Sequence, residues 1–157
     1  MKVKPIACLL ALGLLLSGCG GQGGGAAQTY DPASTAQALL DAQVFDQELE
    51  ALDADMAVPY LGLSAEPEQA VVYTSLSGGY EELVVLQLAD ESAAATALEE
   101  LSTHLQDRLE SERQVQYKPE DLPKLKQALA EQAGNTVLLL VCADYDAARE
   151  TLDGLAS

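Results

Sequence analysis

The longest regular hydrophobic pattern in the chain runs from residue 91 to residue 113. Leucine and alanine recur in this segment at intervals of three or four residues, so they share one face of a predicted α-helix. Asp90 comes directly before the segment and suits an N-cap, because its carboxylate can accept a hydrogen bond from a free backbone N–H of the first turn. Shorter helical patterns cover residues 32 to 43, 46 to 52, 120 to 132 and 146 to 155.

Three segments are typical of β-strands. Residues 70 to 76 and 80 to 89 are rich in β-branched and aromatic side chains. The turn sequence Ser77-Gly78-Gly79 separates them, so the two segments predict a β-hairpin. Residues 136 to 143 (TVLLLVCA) are apolar at nearly every position, which is typical of a strand that is buried on both faces.

These elements follow the order ααββααβα, which favours an α+β fold. We expect a small, mainly antiparallel sheet of about three strands, in which the hairpin comes first, helices follow, and residues 136 to 143 form a central strand. Helices are expected to pack on one face of this sheet. A domain from residue 30 to residue 157 is long enough to bury a core of aliphatic side chains without disulfide bonds.

The first 18 residues have the composition of a secretory signal peptide. A start with two lysines is followed by an apolar run, residues 6 to 16, which is too short to span a membrane. The run ends in Leu16-Ser17-Gly18-Cys19, which resembles the lipobox of bacterial lipoproteins. The resemblance implies cleavage between Gly18 and Cys19, and a diacylglyceryl thioether on Cys19 that carries fatty acids such as palmitate.

Such a lipid would hold the protein at the cell membrane, facing outside the cytoplasm, because two acyl chains give stable attachment. Residues 19 to 29 comprise the lipidated cysteine and a glycine-rich segment without apolar periodicity, which is typical of a flexible tether. We therefore expect three parts: a signal peptide over residues 1 to 18, a lipidated tether over residues 19 to 29, and one α+β domain over residues 30 to 157.

The charge of the chain limits its partners. The net charge is −17, and residues 20 to 107 contain sixteen Asp and Glu but no Lys or Arg. A surface of this kind repels nucleic acids and anionic lipid headgroups. Nucleic acid is therefore excluded as a partner, and a cationic or neutral partner is favoured.

Motifs that would indicate catalysis or cofactor binding are missing from the sequence. It contains no phosphate-binding loop, no dinucleotide fingerprint and no Gly-x-Ser-x-Gly elbow. Cys142 lies inside an apolar strand, where a thiol is expected to be buried and inert. His104, the only histidine, lies on the helix face opposite the leucines and is expected to be solvated. We predict no catalytic residue, metal-ligand set or cofactor.

The densest group of carboxylates lies between residues 46 and 55 and raises the question of a cation site. The spacing does not fit a calcium-binding EF-hand loop, since a loop that starts at Asp46 has Ala51 and Ala57 where glycine and glutamate are required. Weak cation contact and a solvated helix face both remain open. The residues concerned are Asp46, Glu48, Glu50, Asp53 and Asp55.

Glu82 is a separate candidate, because it directly precedes the apolar segment LVVL of the second predicted strand. If it points inward, it needs a partner such as Lys124, Lys126 or a tyrosine hydroxyl. A structural hydrogen bond and a ligand contact are the two interpretations.

Several segments together resemble an uncharacterised family of clostridial-type lipoproteins from Gram-positive bacteria. The resemblance rests on VVYTS, YEELVVLQLAD, QVQYKPEDLPKLKQAL and AGNTVLLLVCAD, in that order, before an alanine-rich final helix. It covers residues 49 to 153 and implies an exported, lipid-anchored α+β domain, with no activity attached.

The sequence therefore predicts a binding or interaction module at the membrane surface, with a protein or cell-wall partner. One alternative is a cation-binding or sensing surface formed by residues 46 to 55. A weaker alternative is a wall or peptide hydrolase that uses carboxylates, which would require two acidic side chains to converge in one cleft.

Overall fold

The computed structural model describes residues 29 to 155 of the chain. The predicted signal peptide, the predicted lipidation of Cys19 and nearly all of the predicted tether fall on residues outside the described part of the chain. Among the described residues, none of the helices combines the length and the hydrophobicity that a transmembrane span requires. The elements in chain order are α1 (Pro32–Asp41), β1 (Leu49–Ala51), α2 (Ala54–Leu61), β2 (Gln69–Ser75), β3 (Glu82–Gln87), α3 (Glu91–Val115), a short 3₁₀ turn (Pro119–Asp121), α4 (Leu122–Gln127), β4 (Leu129–Ala133), β5 (Thr136–Val141) and α5 (Tyr145–Leu155).

Five strands form one antiparallel sheet in the order β1-β2-β3-β5-β4. The predicted α+β class, the β2–β3 hairpin and the interior position of β5 are confirmed. The expectation of about three strands is wrong, because β1 and β4 were both predicted as parts of helices. Both are short edge strands, and β4 (LAEQA) consists of residues that favour helices in isolation. Pairing with β5 places this segment in the sheet.

Helices cover both faces of the sheet, so the expectation of one covered face is also wrong. Val84 and Leu86 of β3 belong to a core that α2 and α3 close, whereas Leu83 and Val85 belong to a second core that α1 and α5 close. Side chains alternate between the two faces along a strand. A strand that is apolar at every position therefore needs helices packed on both faces of its sheet.

The long helix α3 follows the prediction closely. Asp90 caps it, since its carboxylate accepts a hydrogen bond from the backbone N–H of Ala93 at 2.8 Å. The helix α2 was not predicted, and it contains Pro59, a residue that disfavours helix interiors. Gly62 ends α2 with a left-handed backbone conformation, φ +71°, which glycine adopts without strain.

The two ends of the sheet differ in what they hold. At one end β5 begins, and the backbone N–H of Tyr30 donates to Thr136 Oγ1 at 2.8 Å. The chain that continues from the predicted tether therefore enters the domain at this end. At the other end β3 begins and β5 ends, and this end carries buried charges.

Candidate functional site

Four acidic side chains are buried where β3 begins and β5 ends, and we call this region the carboxylate end. Acidic side chains are rarely buried unless they are paired or hydrogen-bonded. Their partners therefore identify the residues that the fold brings together here. The four are Glu81, Glu82, Glu112 and Asp121, each at most 1% exposed.

Glu82 is the first residue of β3 and lies beneath α3. Its Oε2 accepts a hydrogen bond from Arg108 Nη1 at 2.5 Å and contacts His104 Nε2 at 3.2 Å. Residues four apart on a helix share a face, so α3 presents both side chains to one carboxylate. The other oxygen of Glu82, Oε1, has no hydrogen-bond partner among the described residues.

Tyr60, from the last turn of α2, closes this group on its outer side. Its ring meets that of His104 edge to face, with the centroids 5.5 Å apart. Burial first, and then the negative charge of Glu82, raise the pKa of the Tyr60 phenol. The phenol thus lies near the Glu82 carboxylate, although no hydrogen bond of ordinary length and angle joins them.

The pKa of Glu82 is set by opposing effects. Burial alone would raise it, but the hydrogen bond to His104 and the charge of Arg108 outweigh burial and hold the pKa below its usual 4.5. Glu82 is therefore ionised at neutral pH. An ionised carboxylate that is bound to arginine cannot serve as a general acid.

Lys124 is the centre of a second buried ionic group. Its Nζ lies 2.8 Å from Glu81 Oε1, 2.7 Å from Asp46 Oδ1 and 3.2 Å from Asp121 Oδ1. Burial alone would lower the pKa of Lys124, but the hydrogen bonds to Asp46 and Glu81 outweigh it and raise that pKa. Burial in turn raises the pKa of Glu81 despite Lys124. The backbone N–H groups of Asp46 and Gln47 complete the coordination of Glu81.

Gln47 connects this group to the β2–β3 turn. Its Nε2 donates to both oxygens of Asp121, at 3.0 and 2.8 Å, and Asp121 also accepts the backbone N–H of Tyr80 at 2.9 Å. A Cβ at Gly79 would overlap the side-chain amide of Gln47. Glycine at this position therefore allows the turn to approach the buried amide.

Tyr80 links the two ionic groups to the end of α3. Its hydroxyl donates to Glu112 Oε2 at 2.8 Å, and the guanidinium of Arg108 lies 5.0 Å from the centre of its ring. Glu112 also accepts the backbone N–H of Lys118 at 3.0 Å. The four buried carboxylates therefore belong to one continuous network, which fastens α3, α4 and the β2–β3 turn together.

An open cleft lies beside this network, between the end of α2 and the middle of α3. Its volume is about 400 Å³, and we call it the Tyr60 cleft. Tyr60 and His104, the two rings that contact or lie near Glu82, line its wall. Glu100 and Asp107 are its charged lining residues.

The structure settles the positions of the sequence candidates. Glu82 does point inward, and it is bound by Arg108 and His104 rather than by Lys124 or Lys126. Of the expected partners, only a tyrosine, Tyr60, lies near its carboxylate. The expectation that His104 is solvated is wrong, since its side chain is 13% exposed and packs against Glu82. No lysine or arginine lies between Lys4 and Arg108 in the sequence, but this feature did not identify Arg108 as the partner of Glu82.

The acidic run from residue 46 to 55 is not gathered into one site. It passes through β1 into α2 rather than forming the predicted helix, and its carboxylates are exposed to solvent. In the described part of the chain, no group of three or more His, Cys, Asp or Glu side chains could hold a metal ion. The five residues are Asp46, which pairs with Lys124, and Glu48, Glu50, Asp53 and Asp55.

Cys142 is buried, as its apolar surroundings predict. Burial, as the largest cause, raises the pKa of its thiol to about 12. A thiol with such a pKa is not a nucleophile at neutral pH.

The carboxylates of Glu81 and Asp121 converge on Lys124 and are held by it and by hydrogen bonds. They are therefore not a free general acid and general base, which a carboxylate-dependent hydrolase would need.

We expect the stability of the domain to depend on pH in two stages. Glu82 and Asp121 have pKa values lowered from 4.5 and 3.8, so the stability that they contribute is present above pH 4.5 and is lost as the pH falls through their folded pKa values. Glu81 acts in the opposite sense, because its raised pKa makes stability increase as the pH falls towards 4.5.

The free energy of unfolding should therefore pass through a maximum at mildly acidic pH and decrease below pH 4.5. Urea unfolding, measured in steps from neutral to strongly acidic pH, tests this profile. A free energy that stays constant below pH 4.5 would contradict the assigned pKa directions.

No protein-family model matches the chain, and no curated protein or solved structure is significantly similar to it.

Proposed function

We propose that the protein is a lipid-anchored, extracytoplasmic binding module that holds a partner near the outer surface of the membrane. The observation that carries this proposal is the position of the carboxylate end, which lies opposite the point where the chain enters the domain. The lipid on Cys19, cleavage before Cys19, and a protein or cell-wall partner are parts of the same proposal.

The distance between the two ends follows from the sheet. β3 and β5 are paired from Glu82 opposite Val141 to Gln87 opposite Thr136. At about 3.3 Å per residue, these strands separate the carboxylate end from the entry point of the chain by about 17 Å. A domain held from Tyr30 by the predicted tether thus carries its buried charges and the Tyr60 cleft away from the point of attachment.

The arrangement of the carboxylates supports binding rather than hydrolysis. Glu82 is held by Arg108, and Glu81 and Asp121 are held by Lys124. Carboxylates that are paired with cations in this way fix the positions of side chains, whereas a hydrolase that works through a carboxylate pair needs one protonated and one free carboxyl group. A rigid end beside an open cleft is suited to holding a ligand.

Cross-linking in living bacterial cells tests the proposal. We expect the tagged wild-type chain to fractionate with membranes and to capture a partner in near-stoichiometric yield. Cys19→Ala should release the protein from the membrane fraction and weaken capture, because the acyl chains provide the attachment.

Cys8→Ala is the matched control, since Cys8 lies in the predicted signal peptide and should behave as wild type. If Cys19→Ala stays in the membrane fraction, the lipid anchor is wrong. If neither protein captures a partner, the interaction with a macromolecule is wrong.

A further inference from the structure

The outer strand β1 presents a row of backbone groups that the sheet does not use. It is a terminal strand and pairs with β2 on one side only. On that inner side, the C=O of Glu48 accepts the backbone N–H of Leu76 at 2.9 Å, and the N–H of Leu52 donates to β2 at 2.8 Å. Backbone groups alternate in direction along an antiparallel strand, so those of Leu49 and Ala51 point away from the sheet. We call this outer side the β1 edge.

One face of the β1 edge is apolar. Ala51 lies directly opposite Tyr73 of β2, and Tyr73 packs against the core that α1 and α5 close. Residues that lie opposite each other on paired strands share a face, and so do residues two apart on one strand. Leu49, Ala51 and Tyr73 therefore lie on the same face, where Leu49 and Tyr73 are only half-buried.

The other face of the β1 edge is acidic. Side chains alternate along a strand, so Glu48 and Glu50 point to the face that Leu49 does not occupy. Both are exposed, and Asp53 and Asp55 follow at the start of α2. None of these four side chains makes a hydrogen bond or ion pair with a described residue. Since residues 20 to 107 contain no lysine or arginine, this negative charge has no basic neighbour along the chain.

The opposite edge strand, β4, lacks these features. Helix α3 packs against it, and Gln132 Nε2 donates to the backbone C=O of Glu91 in that helix at 2.9 Å. The carboxylate of Glu131 accepts the hydroxyl of Tyr30 at 3.3 Å. Of the two edge strands, only β1 thus combines open backbone groups with one apolar face and one unpaired acidic face.

We propose that the β1 edge binds an extended segment of a partner protein, in which basic and apolar residues alternate, as an added antiparallel strand. The apolar residues of the segment lie opposite Leu49 and Ala51 and exchange backbone hydrogen bonds with them. The basic residues lie on the face of Glu48 and Glu50, where opposite charges across two strands are stabilising. This inference rests on the proposed function, which supplies a macromolecular partner, and it names the chemistry of that partner.

The acidic face selects this occupant over a second copy of the chain. A second β1 would bring its own Glu48 and Glu50 to the edge, and like charges on neighbouring strands are destabilising. An uncharged strand would leave the carboxylates without partners. An antiparallel direction agrees with every strand pair of the sheet.

A peptide with tryptophan tests the proposal, because the chain itself contains no tryptophan. The probe is acetyl-Trp-Lys-Val-Lys-Val-Lys-amide, added to the full chain in nonionic detergent micelles and followed by tryptophan fluorescence anisotropy. We expect saturable binding. A peptide of the same composition in block order, acetyl-Trp-Val-Val-Lys-Lys-Lys-amide, should bind at least about fivefold more weakly, because it cannot place charges on one face only. Equal binding of the two peptides would overturn the proposal.

Methylation of backbone nitrogens in the peptide identifies the hydrogen bonds. In the proposed register the valine N–H groups donate to the C=O groups of Leu49 and Ala51, whereas the lysine N–H groups point outward. N-methylation of both valines should weaken binding by about tenfold or more, since two hydrogen bonds are lost. N-methylation of the two lysines that precede them keeps composition and charge and should change affinity by less than about twofold. Equal weakening by the two modifications would contradict the added strand.

Ala51→Pro tests the same edge from the side of the protein. Proline is tolerated on an edge strand where the missing N–H faces solvent, so the pairing of β1 with β2 should remain, as circular dichroism would verify. Affinity for the alternating peptide should fall at least about fivefold, because a donor is lost and the ring obstructs the edge. If Ala51→Pro does not fold, the methylated peptides with the wild-type chain decide.

Two charge-neutralising substitutions separate the edge from general charge. Glu50→Gln should lower affinity by about twofold, the size expected for an exposed ion pair. Glu99→Gln removes an equal charge from an exposed position on α3 and should leave affinity unchanged. Equal effects of the two substitutions would mean that net charge, and not the β1 edge, attracts the peptide.

The proposed function and the β1 edge fail separately. Peptide binding without a captured partner in cells would support the edge and contradict the macromolecular partner. A captured partner without peptide binding would contradict the edge alone. Self-association of the wild-type chain that Ala51→Pro abolishes, measured by analytical ultracentrifugation, would show that a second copy occupies the edge and would overturn the proposal.

Discussion

Glu82→Gln is expected to lower the free energy of unfolding by about 3 kcal/mol, because it leaves the Arg108 charge without its buried partner. The substitution keeps the size of the side chain, so packing around β3 is preserved. The loss would come from removing a negative charge that Arg108 and His104 both contact. Since native domains have a stability of about 5 to 15 kcal/mol, a loss of this size is readily measured by urea unfolding followed by circular dichroism.

The matched control is Glu99→Gln on the exposed side of α3. It also removes one negative charge, but no partner of this side chain is lost, so its effect should stay within about 0.5 kcal/mol. A double-mutant cycle with Arg108→Gln isolates the pair. If Glu82→Gln is as stable as the control, the ion pair between Glu82 and Arg108 does not stabilise the fold.

Lys124→Met is the second substitution with a large expected effect, also about 3 kcal/mol of destabilisation. Methionine retains most of the aliphatic stem, so the principal change is the loss of the ammonium group. Without it, the buried carboxylates Glu81 and Asp121 repel each other and lose a shared hydrogen-bond donor. The ammonium also connects α4 to Asp46 in the loop before β1, so this loop should become easier to open locally.

Lys126→Met provides a close control, since Lys126 is exposed and lies two residues further along α4. Its effect should be within about 0.5 kcal/mol. Adding Asp121→Asn to Lys124→Met should recover part of the lost stability, because it removes one of the two repelling charges. Equal stabilities of the two lysine variants would show that Lys124 is not the centre of this network.

The sequence patterns gave a reliable account of elements that are long or strongly apolar. The intervals of three and four residues in α3, its cap at Asp90, and the continuous apolar run of β5 were each sufficient for a correct prediction. They were sufficient because each pattern extends over many residues and reports burial directly. The position of Glu82 directly before an apolar strand raised the question of an inward side chain, and the structure answers it, since Glu82 is buried together with its neighbour Glu81.

Edge strands and helix positions were not predictable in the same way. β1 has three residues and β4 has five, and the composition of both allows a helix. A short segment of this kind becomes a strand when a neighbouring strand offers hydrogen bonds, which local propensity does not record. The helices that cover the second face were recognised as helices, but their assignment to that face depends on the path of the chain.

For the candidate site, too, the sequence and the tertiary structure provided different information. The sequence by itself determined that acidic residues greatly exceed basic ones and that residues 20 to 107 contain no lysine or arginine. Only the tertiary structure decided which charges meet: Glu82 and Arg108 are 26 residues apart in the chain, and Glu81 and Lys124 are 43 apart. The physical reason is that burial and helix or strand preference are recorded locally along the chain, whereas the partner of a buried charge is decided by the packing that brings distant segments within hydrogen-bond distance.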